Sequence, residues 1–248
     1  QMTRREQIRG VIFFALYFLV FPVLKMVVEW AFDHFFGLYL SEAMSATVYY
    51  YIMGILTVAV FWSFLKNGLT ILADFLPENL LAFITGLVGA GVLHFLVMLL
   101  PWPLENPNSI SWAEQYAYSP AATVVIVVIL MPLIDEVLFR GLVFGSLRRY
   151  SRPLAWAASV VLFMIYSVWT FAVAYGDARY LVLAFQYLPM ALALTWCYDR
   201  GGSVWSAAVL HAVIYHLAIV IHKPVHIISR HRTDPAPYRL KIFLFVHL

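Results

Sequence analysis

Cysteine and charge are what this 248-residue chain has least of. One cysteine, Cys197, excludes an intramolecular disulfide and any site built from several thiolates. Charged residues make up only 12% of the chain, against roughly a quarter in an ordinary soluble domain. So little charge cannot keep a surface wet, which excludes a protein dissolved in water. Repeats, low-complexity tracts and soluble linker domains are also missing; the longest polar stretch, PWPLENPNSISWAEQYAYSP, has the length of an ordinary loop. Nor does the start read as a cleavable signal. The apolar run after Arg4, Arg5 and Arg9 is too long for a signal core and no small-residue cleavage site follows, so the first span is expected to stay as an anchor.

Apolar side chains are what the chain has instead, at 63%. A membrane-crossing helix needs about 20 apolar residues. Stretches near 8–31, 47–66, 80–101, 120–147, 153–175, 180–198 and 203–222 meet this in turn. The expected fold is all-α: a polytopic membrane helix bundle of seven to eight transmembrane helices around a polar cavity. Its expected parts are N-terminal transmembrane helices at 1–119, a core at 120–222, and a basic tail or final helix at 223–248.

Cytoplasmic loops retain Lys and Arg. Arg4, Arg5 and Arg9 precede the first span, Arg148, Arg149 and Arg152 follow the fourth, and loops 32–46 and 102–119 hold acids but no Lys or Arg. The N-terminus is therefore expected in the cytoplasm. Seven crossings would put the tail outside, yet it carries Lys223, Arg230, Arg232, Arg239 and Lys241, so either one span is re-entrant or, as expected here, an eighth element exists, with the apolar KIFLFVHL end belonging to it. The net charge of +3 fits loop arginines at a lipid surface and implies no nucleic acid.

Among the 29 acidic and basic side chains nearly all fall at span ends or in loops; the exception is VVIVVILMPLIDEVLFRGLVFGSLRR, with Asp135, Glu136 and Arg140 at bilayer depth. Each such charge costs roughly 2.5–3.5 kcal/mol at a helix centre on insertion scales, so the three must be paired or wetted. Intramembrane ionisable residues mark functional sites by default. Glu136 and Arg140 sit one turn apart and can pair. Asp135 is rotated by about 100° from Glu136, and a carboxylate without its own cation in low dielectric suits a general base. The structural alternative is that all three lock helices through buried hydrogen bonds. Lys25 and Glu29, near the end of the first span, read as interfacial anchors.

Of the histidines, His211 falls mid-span in GGSVWSAAVLHAVIYH, with Tyr215 one turn on and His216 rotated away, and His94 lies mid-span in VLHFLVML. His222 and His226 are four apart, but no acid accompanies them as in a metal-binding HExxH helix and Pro224 interrupts the spacing, so neither metal nor cofactor is expected.

PLIDEVLFRGLVFGSLRR resembles the first motif of the CAAX protease and bacteriocin-processing (CPBP) family: two glutamates, three residues, then arginine, with Phe before and Gly after it. WCYDRGGSVWSAAVLHAVIYH resembles the family's closing motif. The resemblance covers roughly residues 120–222. It implies a membrane helix bundle and endoproteolysis near the end of a membrane-bound substrate, with water activated by an acid and an oxyanion stabilised by polar donors. By position it makes Asp135 the water-activating acid, Glu136 and Arg140 the supporting pair, Phe163 the start of the second motif and His211 an oxyanion donor. Three positions depart from the family pattern. Asp135 replaces a glutamate, shortening the reach by about 1.5 Å, one carbon–carbon bond. Ser167 stands where the second motif, FMIYS here, has histidine, and Tyr215 stands where an asparagine is usual; His94 and His216 are alternative imidazoles. A Ser167 nucleophile activated by His211 would lack a third orienting group.

Two functions follow from the resemblance. One is an intramembrane glutamic-type endopeptidase, Asp-based here, acting on a membrane-tethered or lipidated peptide. The other is a catalytically impaired member in a membrane-binding, regulatory or bacteriocin-immunity role. The expected setting is the lipid bilayer of a prokaryotic plasma membrane, with a membrane-anchored peptide or protein as partner.

Overall fold

The computed structural model of the chain describes residues 1–229. Arg230, His231, Arg232, Arg239, Lys241 and the expected eighth crossing lie outside the described residues, as do the side chains of His222, Lys223 and His226. All regular structure among the described residues is helical. The helices are α1 (Arg4–Phe36), α2 (Glu42–Val60), α3 (Trp62–Asp74), α4 (Leu76–Met98), α5 (Pro107–Tyr118), α6 (Pro120–Arg148), α7 (Arg152–Tyr175), α8 (Ala178–Gly201) and α9 (Val204–Ser229).

Five of these, α1, α4, α6, α7 and α8, are long and apolar enough to cross a membrane. The expected straight span at 47–66 is instead broken: α2 and α3 meet at an 80° bend at Phe61, and counting the pair as one span gives six. In α9 the apolar stretch Val204–Leu217 is shorter than a full crossing. The described residues thus hold five or six candidate spans, and the seven to eight expected were for the whole chain.

The bend has a local cause. Breaking a helix exposes the first N–H groups of its second half. Glu6 meets one of them, its carboxylate accepting the Phe64 N–H at 2.9 Å while its other oxygen accepts from the Thr3 N–H at 2.9 Å. A buried acid from the first turn of α1 therefore caps α3.

Prolines shape two of the spans. A proline inside a helix clashes with the carbonyl four residues back, and for Pro22 and Pro132 these are Phe18 and Val128. Both carbonyls lie in π-helical stretches, Leu16–Val20 and Ile126–Leu130, whose wider turns accommodate the rings. A third π-helical stretch, Glu136–Phe144, has no proline to explain it. It begins at the charged cluster, where such widenings often accompany functional sites.

The packing centre is α6, 67% of whose most apolar window is buried, against 11% for α1 and 17% for α4. The outer helices expose Leu, Val, Ile and Phe widely, as lipid-facing surfaces do. Helices α4 and α8 lie close along their length because Gly86 faces the Ala193 carbonyl; a Cβ there would sit 3.3 Å from that oxygen and 2.9 Å from Leu210.

At one end of the bundle Arg149 bonds Gln7 at 3.3 Å, and the buried Asp199 carboxylate holds Arg152 at 2.6 Å and Arg148 at 3.2 Å. Gly202, with φ of +83°, reverses the chain there between α8 and α9. Ser203 and Trp205 then dock the start of α9 onto α3, donating to the Gly68 carbonyl at 2.8 Å and the Leu65 carbonyl at 2.9 Å. Asn79 of α4 accepts from Ser206 at 2.8 Å. The Gly-Ser-x-Trp motif thus fixes where α9 begins, and so the depth at which His211 lies.

Candidate active site

The most deeply buried acidic and basic side chains among the described Asp, Glu, Lys and Arg residues belong to α6. Glu136 and Arg140 are fully buried, and Asp135 is 3% exposed. Buried charge requires neutralising partners. Arg140 Nη1 donates to Glu136 Oε1 at 3.1 Å, and Nη2 donates to the Ala191 carbonyl of α8 at 3.2 Å. The Phe163 ring of α7 lies 4.6 Å from the guanidinium carbon and supplies a cation–π contact.

The same Glu136 oxygen meets Nδ1 of the fully buried His211 at 2.8 Å. One carboxylate therefore joins an arginine of its own helix to a histidine of α9, a tie that spacing alone did not reveal. His211 is further held by an edge-on contact with Phe163, centroids 5.8 Å apart, and by stacking on Tyr215 at 5.0 Å. Its Nε2 is buried with no hydrogen-bond partner among the described residues, as is Glu136 Oε2.

Asp135 turns away from Glu136 and toward α1, where Tyr17 donates to its Oδ1 at 2.8 Å. It remains within electrostatic reach of His211, Glu136 and Arg140. Asp135, Glu136, Arg140, Phe163, His211 and Tyr215 thus form one cluster. Ser167 bonds within its own helix instead, its Oγ donating to the Phe163 carbonyl at 2.8 Å. His94 and His216 are both exposed, so neither stands in for the missing imidazole.

Among the described residues, the ionisable side chains of the cluster, Asp135, Glu136, Arg140 and His211, are buried. A groove of about 290 Å³ between α4, α7 and α8 is lined by Gly86, Leu93, Trp156 and Trp196 among others, and none of its lining residues belongs to the cluster. No group of His, Cys, Asp and Glu among the described residues has the arrangement to hold a metal ion.

Tyr17 was not legible as a site residue. Its signal was faint: a phenol in an apolar span seeks a partner for its hydroxyl, but the chain has 15 tyrosines and nothing in sequence distinguished this one.

Apolar spans around enclosed ionisable groups define the class: an integral-membrane helical protein with an intramembrane polar site. Residues 117–217 match the model of the Type II CAAX prenyl endopeptidase Rce1-like family. This stretch carries both motifs and the whole α6–α9 cluster, and the match agrees with the CAAX protease resemblance of those motifs. No curated protein and no solved structure matches the chain.

Proposed function

We propose that the protein is an intramembrane endopeptidase of the CAAX type that hydrolyses a peptide bond in a membrane-tethered or lipidated substrate by direct water attack. The observation that carries this reading is the double use of Glu136. By accepting at His211 Nδ1 it orients the ring and leaves Nε2, buried and unpartnered, as the nitrogen that can act beside Asp135.

Asp135 takes a proton from the attacking water as its oxygen adds to the scissile carbonyl carbon. His211, its Nδ1 held by Glu136, donates from Nε2 to the developing oxyanion. Collapse of the tetrahedral intermediate breaks the carbon–nitrogen bond, and Asp135 returns its proton to the leaving amine. Arg140 neutralises Glu136 throughout and touches neither water nor substrate.

The name of the matching family supplies the probe, a prenylated CAAX peptide. Purified protein in liposomes is expected to cleave it, with Asp135→Ala and His211→Ala each reducing the rate by roughly 10² to 10⁴, the usual contribution of a positioned acid–base group. Equal rates in all three proteins would sink the proposal.

The enclosure of Asp135 and the local use of the Ser167 hydroxyl favour a second reading, a non-catalytic member that binds a membrane protein. It gains if wild-type protein cleaves no prenylated peptide yet retains one stoichiometric membrane partner on purification.

A further inference from the structure

Phenols surround Asp135. Besides Tyr17, which bonds it at 2.8 Å, Tyr49, Tyr50, Tyr166 and Tyr215 lie within electrostatic reach of its carboxylate. They come from α1, α2, α7 and α9, so four helices converge on one acid. Ring contacts hold two pairs in place: Tyr17 stacks on Tyr166 with centroids 5.0 Å apart, and Tyr49 meets Tyr50 edge-on at 5.2 Å.

Tyr17 and Tyr49 differ in how their hydroxyls are used. The Tyr17 hydroxyl is committed to Asp135. That of Tyr49 is buried and has no hydrogen-bond partner among the described residues. Buried tyrosines normally satisfy their O–H, and an orphaned one in a native core calls for an explanation. His211 Nε2 is orphaned in the same way. Two unused polar groups, from α2 and α9, therefore share the neighbourhood of one carboxylate on α6. That is the arrangement expected where a reacting oxygen is bound from more than one side.

Resting on the endopeptidase reading, we propose that Tyr49 is a catalytic residue, its phenol O–H donating to the oxygen of the tetrahedral intermediate opposite His211, and that Tyr17 is a positioning residue that aims Asp135. Together they supply polar contacts that the side chain at position 167 does not.

The test compares wild type, Tyr49→Phe, Tyr17→Phe and Tyr51→Phe on a prenylated CAAX peptide in liposomes, and follows thermal unfolding of each. Tyr51 lies on the same helix as Tyr49 but is 44% exposed, and its variant should match wild type. Tyr49→Phe should lower kcat by roughly 10² to 10³, the effect of removing one oxyanion donor, with KM unchanged. Its unfolding temperature should not fall, because the lost hydroxyl had no partner to leave behind. Tyr17→Phe should lower both kcat and the unfolding temperature, since it strips Asp135 of a buried bond. Wild-type kcat in Tyr49→Phe, or a lowered unfolding temperature in that variant, overturns the role of Tyr49 and leaves the endopeptidase reading standing. A wild type that cleaves nothing overturns that reading, and the role of Tyr49 with it.

Discussion

Glu136 is where the buried charges meet, because a single oxygen accepts from both Arg140 and His211. Removing one member of such a pair strands the other in low dielectric, at a typical cost of about 3–5 kcal/mol. Arg140→Met should therefore lower the unfolding temperature sharply in detergent, and Arg140→Lys should recover only part of it, since an ammonium cannot reach Glu136 and the Ala191 carbonyl in the same planar fork. A small change in either would show that the guanidinium is not the brace described. Ser167 predicts the opposite. Its hydroxyl bonds only the carbonyl one turn back, so Ser167→Ala should shift stability by less than about 0.5 kcal/mol and leave cleavage of a prenylated peptide unchanged. A lost rate there would instead make Ser167 a participant. At this scale the sequence was partly legible: charges too costly to leave alone announced the Glu136–Arg140 pair. The His211–Glu136 and Tyr17–Asp135 bonds join residues 75 and 118 positions apart, and no helical periodicity reports on such distances.

Helix α3 exists as a separate element because its start is capped and its face is clamped. The Glu6 carboxylate on the Phe64 N–H acts as an N-cap supplied from another helix. Glu6→Ala should destabilise the protein by about 1 kcal/mol, the usual worth of a cap; an unchanged unfolding temperature would contradict that role. Gly141 of α6 sits against the Phe64 ring, where a Cβ would approach to 2.7 Å. Gly141→Ala should cost about 1–3 kcal/mol through overpacking, and Phe64→Leu, which removes the ring edge, should relieve it in the double variant. Additive losses in a double-mutant cycle would deny the contact. Hydropathy located α6, α7 and α8 well, because long apolar runs bounded by Pro, Gly or Arg are strong signals. It read 47–66 as one span because no proline or glycine adjoins Phe61. The break depends on Glu6, more than 50 residues away, which a local window does not see.

Across the whole molecule, charge and burial are arranged by depth. Arginines gather with Asp199 at one end, the ionisable cluster lies midway, and the 102–119 connection carries acids without Lys or Arg at the other end. This asymmetry predicts a cytoplasmic N-terminus. Cysteine substitution can check it directly, because native Cys197 is fully buried. Gln7→Cys and Tyr150→Cys should react with an impermeant maleimide from one side of the membrane, and Phe36→Cys and Glu105→Cys from the other. Labelling of Gln7→Cys and Glu105→Cys from the same side would refute the topology. The central claim is that Asp135 removes a proton from water in this enclosed cluster. The most direct measurement is the single-turnover rate of prenylated-peptide cleavage by wild type and by Asp135→Asn, which keeps an oxygen for the Tyr17 hydroxyl but no longer accepts a proton as a carboxylate does. Asp135→Asn should lower the rate by roughly 10² to 10⁴ with substrate binding retained, and an undiminished rate would rule out Asp135 as the base.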